Sequence, residues 1–288
     1  MNKLFFALVI TFFASPLRAD TPPPYTLDDT EVHTLHAKDL KRDYQVLVSL
    51  PPSYKTSTRR YPVVFVTDAP YAFPVVRSMA KRMGDHGRGL EEFILVGLAY
   101  ANGDTSEYSR RRDYTPVPST DTGLESDMPG RKVLFGEAEG YRQFVAADVF
   151  ALVASHYRAD MTRKIFAGHS YGSLFGLHAL FTDPAMFDQY ILGSPSLWYA
   201  KRVMFEREKA YAASHKDLKT AIYFGVGSLE GRGKETMITD MKQFEALLKS
   251  RKYPGLRVQS RVFDDETHLT VAPAILTHGL QWVLPQAK

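Results

Sequence analysis

A chain of 288 residues, 44% of them hydrophobic, is long enough for one large α/β domain or two small ones and has apolar content for a packed core, which excludes disorder as its main state. Its formal charge of +4 is too mild to indicate a nucleic-acid partner, and it drops by two if Lys3 and Arg18 leave with the first residues. With no cysteine, the chain has neither disulfides nor thiolate zinc sites, so packing must hold it.

Met1-Asn2-Lys3, the apolar run over 4–14 and Ser15-Pro16-Leu17-Arg18-Ala19 read as a secretory signal peptide, 1–19, because the run is too short to span a bilayer. Residues 20–288 are then one exported domain, periplasmic or secreted, with no membrane anchor after cleavage. After the entry Thr21-Pro22-Pro23-Pro24, residues 31–37 and 44–50 alternate polar and apolar, and Lys41-Arg42-Asp43 suits a hairpin turn between them. Two antiparallel strands therefore lead the chain. From there the pattern changes: 61–68 and 93–100 are almost continuously apolar, as central parallel strands covered on both faces are, with a crossover helix over 72–83. Residues 101–136 are rich in Gly, Ser, Thr, Pro and charge without periodicity. They read as a long loop at the carboxyl end of its strand, where open α/β sheets bind ligands.

Tyr141, Phe144, Val145, Val149 and Leu152 recur at helical spacing and predict a helix over 137–157. A short buried strand at 164–167 and an apolar helix at 174–181 follow. Strands at 189–194, 220–227 and 255–263 then alternate with helices at 201–215, 235–252 and 269–284. The sum is an α/β fold: a mostly parallel sheet flanked by helices, led by antiparallel strands, without repeat or linker.

Gly168-His169-Ser170-Tyr171-Gly172 joins the strand at 164–167 to the helix at 174–181 and matches G-x-S-x-G, a strand-to-helix elbow that needs small flanking residues and presents one hydroxyl. A serine hydroxyl is a poor nucleophile until a base takes its proton. Of nine histidines, only His268 stands just after the last predicted strand and before the closing helix, where the base of an elbow hydrolase belongs. His169 flanks the nucleophile but its side chain is expected to diverge, and His178 lies on the helix behind the elbow as a structural residue. His33 and His36 face opposite sides of a strand and make a poor metal pair. The orienting carboxylate belongs after the strand ending near Val226, which points to Glu230, with Glu235, Asp264 or Asp265 as alternatives. An oxyanion needs two N–H donors. Tyr171 at the helix start supplies one, and Ala69 or Asp68 supplies the other, Pro70 having no N–H. Arg110, Arg111 or Arg112, turned into the cleft, suits an anionic substrate, with Tyr71 and Trp198 packing on aromatic rings. The competing reading has the arginines pairing with Asp113 or Glu107 to hold the long loop.

The elbow with Leu174, Phe187-Asp188-Gln189-Tyr190, Ser194-Pro195-Ser196-Leu197-Trp198, Arg112-Asp113-Tyr114-Thr115-Pro116, Gly227-Ser228-Leu229-Glu230 and Glu266-Thr267-His268 together resemble the esterase D-like esterases that include the enterochelin (siderophore) esterases. The resemblance spans about 32–284. It implies an α/β-hydrolase fold, a Ser170/His268 pair with Glu230 at the acid position, and no metal or other cofactor. A small-molecule ester is the implied substrate, a catecholate trilactone being favoured by export. The sequence departs from the family pattern at Ser173, in place of a second glycine after the elbow, and at Ala69, where glycine is common.

Other classes fare worse. Gly225-Val226-Gly227-Ser228-Leu229-Glu230-Gly231-Arg232-Gly233-Lys234 fails both nucleotide motifs on spacing. A non-catalytic binder predicts a lost serine or histidine, and both are present. An acyltransferase, or a short-chain or feruloyl-type carboxylesterase, uses the same residues and stays open.

Overall fold

The computed structural model describes residues 23–84, 89–119, 123–231 and 236–284; the predicted signal peptide and the alternative acid Glu235 lie outside the described residues. β1 (Thr30–Ala37) and β2 (Arg42–Ser49) form the leading antiparallel pair. β3 (Tyr61–Val66), α1 (Ala69–Met83) and β4 (Ile94–Ala101) follow, and β4 joins β2 antiparallel and β3 parallel. α2 (Ser106–Asp113) lies within the stretch read as a loop. α3 (Ala138–Phe144) and α4 (Phe150–His156) are joined through a π-helical turn, Val145–Val149, where the predicted helix over 137–157 widens. Then come β5 (Ala159–His169), α5 (Tyr171–Thr182), β6 (Gln189–Gly193), α6 (Tyr199–Ser214), β7 (Thr220–Gly227), α7 (Met237–Ser250), β8 (Leu256–Phe263) and α8 (Ala272–Val283).

The strands form one eight-stranded sheet in the order β1-β2-β4-β3-β5-β6-β7-β8, parallel from β4 onward. Because side chains alternate along a strand, Val63 and Phe65 of β3 face one layer while Val64 and Val66 face the other. The first layer packs under α3–α7 with Phe166, Phe175, Tyr190, Phe224 and Phe244. The second packs under α1 and α8 with Phe73, Val76, Ile191, Ile275 and Leu280. Burial on both faces is why these strands read as unbroken apolar runs. Every parallel strand points its carboxyl end the same way, so the loops after β3, β5, β6, β7 and β8 gather on one rim. Among the described residues no helix is long and apolar enough to cross a membrane.

Candidate active site

Ser170 sits between β5 and α5 at φ 59°, ψ −118°, a conformation an L residue adopts only when its surroundings force it. The two glycines of the motif explain how. A Cβ at Gly168 would come 2.6 Å from the Gly172 carbonyl carbon, and one at Gly172 would come 2.4 Å from Thr67 Oγ1. The turn is also pinned from both sides: Ser170 N–H donates to Gly193 O at 2.9 Å, and Leu174 N–H donates to Ser170 O at 3.1 Å. Ser173, the departure from the family pattern, is fully buried, its single O–H shared between Gly168 O at 2.8 Å and Gly193 O at 2.7 Å. Its hydroxyl ties the elbow to β6.

β7 ends at Gly227 and a single 3-10 turn, Ser228–Gly231, presents Glu230. The loop after β8 closes on that turn through Leu229 N–H to Glu266 O at 3.0 Å, and a Cβ at Gly227 would lie 2.3 Å from the same carbonyl oxygen. This close approach brings His268 Nδ1 to 2.6 Å from Glu230 Oε2. The other carboxylate oxygen, Oε1, accepts Ser194 Oγ–H at 2.7 Å and Gly227 N–H at 2.7 Å. Burial raises the Glu230 pKa, but the hydrogen bonds from His268, Ser194 and Gly227 outweigh it and hold the carboxyl below its ordinary value. An ionised carboxylate on Nδ1 fixes the tautomer that leaves Nε2 as the proton acceptor. Asp264 and Asp265 are exposed, and Asp265 N–H instead donates to Ser228 Oγ at 2.9 Å.

Ser170 Oγ is paired with Ser196 Oγ at 3.4 Å, and the polar contact of His268 runs to Glu230. The candidate nucleophile, after β5, and the candidate base, after β8, stand on one rim without a hydrogen bond between them among the described residues, an arrangement that in hydrolases commonly tightens when substrate binds. His169 does diverge from the nucleophile, and it finds a place the sequence did not suggest. Its ring packs on that of His268, 4.6 Å between centroids at 41°. Burial, then the neighbouring charge of His268, pushes its pKa down to about 3, so it stays neutral. His178 is buried behind the elbow between Glu139 and Arg207.

Of the N–H groups expected to receive an oxyanion, that of Tyr171 stands at the first position of α5 and that of Ala69 at the first position of α1. Asp68 N–H, the alternative second donor, is within 3.4 Å of Tyr114 Oη. The methyl of Ala69 does not narrow the approach. It packs into the α1–β4 contact, where a Cβ on Gly97 would stand 2.9 Å from it.

Beside these groups opens a cavity of about 280 Å³, lined by Asp68, Tyr71, Tyr100, Arg110, His169 and His268 among others. Asp68 Oδ1 accepts from Tyr100 Oη at 2.8 Å and from Arg110 Nε at 2.8 Å, and the Arg110 guanidinium lies 5.7 Å over the Tyr171 ring. Tyr71 and Trp198 are each 47% exposed at the rim, and Trp198 packs 6.2 Å from Tyr171. Arg112 is a correction to the sequence reading: it is not in the cleft. It is 2% exposed and bound to Asp113 at 2.8 Å and Asp104 at 2.6 Å. The reason is helical. Each residue of α2 turns about 100° from the last, so Arg110 faces the cavity, Arg111 pairs with Glu107 at 2.8 Å and Arg112 faces inward.

The sheet order and the elbow are those of an α/β hydrolase. The chain belongs to the esterase family: the family model described as "Putative esterase" matches residues 37–268. It is similar to the ferri-bacillibactin esterase BesA of Bacillus subtilis, 27% identical over 269 residues, with 92% of each chain covered. Among solved structures it is similar to the BES protein from Bacillus cereus, with a TM-score of 0.80, 26% identity and coverage of 92% of this chain and 99% of that one. The siderophore hydrolase EstB from Aspergillus nidulans superposes with a TM-score of 0.77 at 25% identity, covering 92% and 97%. Family and relatives make this chain a hydrolase of esters.

Proposed function

We propose that the protein is an exported serine esterase that opens the ester bonds of siderophores, catecholate trilactones in iron-loaded or iron-free form, with residues 20–288 as a single catalytic domain. The observation that carries the mechanism is the chain Ser194–Glu230–His268 hydrogen-bonded beside an elbow serine. Ser170 Oγ attacks the ester carbonyl as His268 Nε2 takes its proton, and Glu230 stabilises the imidazolium so formed. The N–H groups of Tyr171 and Ala69 receive the oxyanion. The alcohol leaves with the proton from His268, and water repeats the sequence on the acyl-enzyme to release the acid and free Ser170.

The substrate class is supported by the names of the relatives and by the cavity, where Tyr71 offers an exposed aromatic ring beside the Arg110–Asp68 pair, with Trp198 exposed outside its lining. The leader read at 1–19 supports a place outside the cytoplasm. The test is hydrolysis of a catecholate trilactone and of a short p-nitrophenyl ester by the mature protein, each beside Ser170→Ala. Serine-dependent trilactone turnover well above that of the simple ester is expected. Turnover of the simple ester alone would keep the mechanism and remove the siderophore.

A further inference from the structure

β6 ends at Gly193, and the next residue, Ser194, has φ 39°. In this left-handed region a residue with a Cβ is disfavoured, whereas glycine enters it freely. A serine thus occupies a position whose backbone favours glycine. It is fully buried, and its own N–H donates to Gly225 O at 2.7 Å, so the turn is fixed. Its hydroxyl donates to Glu230 Oε1 at 2.7 Å, the oxygen that also accepts Gly227 N–H at 2.7 Å, leaving Oε2 to His268 at 2.6 Å. Two residues on, buried Ser196 places its Oγ 3.4 Å from Ser170 Oγ, with Pro195 stiffening the link. One short turn touches both ends of the candidate triad.

We infer that Ser194 is a positioning residue for the Glu230 carboxylate, and that its hydroxyl is what retains a side chain at this strained position. The inference rests on the triad reading above. A glutamate carboxylate rotates broadly about its last torsion. Two donors on Oε1 hold its plane so that Oε2 meets Nδ1 of His268; with Gly227 alone, the plane is held at one point and the imidazole loses its orientation.

Ser194→Gly tests this cleanly, because it removes the hydroxyl while leaving the backbone in a conformation glycine favours, so the fold is kept. With a short p-nitrophenyl ester, kcat is expected to fall about ten- to a hundredfold, the worth of one hydrogen bond to a charged group, with KM unchanged. Ser194→Ala, which keeps the Cβ, gives the same loss. In a Glu230→Gln background the Ser194→Gly change is expected to shift kcat by less than about twofold, since its effect runs through the carboxylate. An equal loss in both backgrounds assigns Ser194 a purely structural role and overturns the inference, as does a Ser194→Gly enzyme at the wild-type rate. If Glu230→Gln itself turns over at the wild-type rate, the triad reading fails and the inference with it.

Discussion

Glu230→Gln is the substitution whose effect follows most directly from the geometry. The amide has the shape of the carboxylate but one oxygen and one NH₂. If the oxygen faces His268 Nδ1, now 2.6 Å from Oε2, the NH₂ replaces Oε1 and points its hydrogens at the Gly227 N–H, 2.7 Å away. Two buried donors then face each other, at a cost of about 1–3 kcal/mol in stability. If the amide flips, its NH₂ faces Nδ1 and forces the imidazole proton onto Nε2, the nitrogen that must accept the proton of Ser170. Catalysis then loses its base. The corresponding acid-to-amide change in a trypsin-type triad costs ~10⁴ in kcat. Here the His268 side chain is 33% exposed, so water partly replaces the lost partner, and we expect a loss of about 10²- to 10⁴-fold, roughly 3–5 kcal/mol. Initial rates with p-nitrophenyl acetate, read with the melting temperature of each protein, measure both outcomes. A variant within threefold of the wild-type rate would refute the role of Glu230 as the acid.

His268→Ala is expected to lower kcat by about three or more orders of magnitude in the same assay without loss of folding, since the side chain lies on a partly exposed loop; near wild-type turnover would send the search to other histidines. Gly172→Ala drives a Cβ to within 2.4 Å of the buried Thr67 Oγ1, which predicts about 1–3 kcal/mol of destabilisation by urea unfolding and a fall in rate as the elbow shifts. His178, buried beside Arg207, is pushed down to about 4, chiefly by burial and then by that guanidinium. Its unfolded pKa is about 6.5, so between these values the unfolded chain binds a proton that the folded one does not, and stability falls as pH drops from about 6.5 to about 4. His178→Gln should reduce that slope in thermal melts across the window, the remainder coming from His169, which is pushed down in the same direction; an unchanged slope would place the acid sensitivity elsewhere.

The central strands were legible because both their faces are covered, so β3, β4 and β7 stand out as apolar runs. The positions of Ser170, His268 and Glu230 followed from chain order, since each ends a parallel strand and parallel strands end together. α2 was not legible, because its buried face is Tyr108, Ser109, Arg112 and Asp113, a polar set satisfied by ion pairs that leaves no apolar period to read. That hidden helix is why three consecutive arginines seemed equally able to reach the cleft. The N-terminal half of β5 was missed for a similar reason, its Asp160, Thr162 and Arg163 being polar. The ring contact of His169 with His268 and the bond from Ser194 to Glu230 join residues far apart in sequence. Ser194-Pro195-Ser196, placed directly after a strand on the rim, was the available signal.

The central claim is that Ser170 is the nucleophile. Treatment of the mature protein with diisopropyl fluorophosphate, followed by intact mass measurement and peptide mapping, tests it most directly. A single phosphoryl adduct on the peptide carrying Ser170, formed as esterase activity is lost and absent from Ser170→Ala, is the predicted result. Esterase activity that survives the reagent unmodified, or an adduct on another serine that tracks the loss of activity, would contradict it.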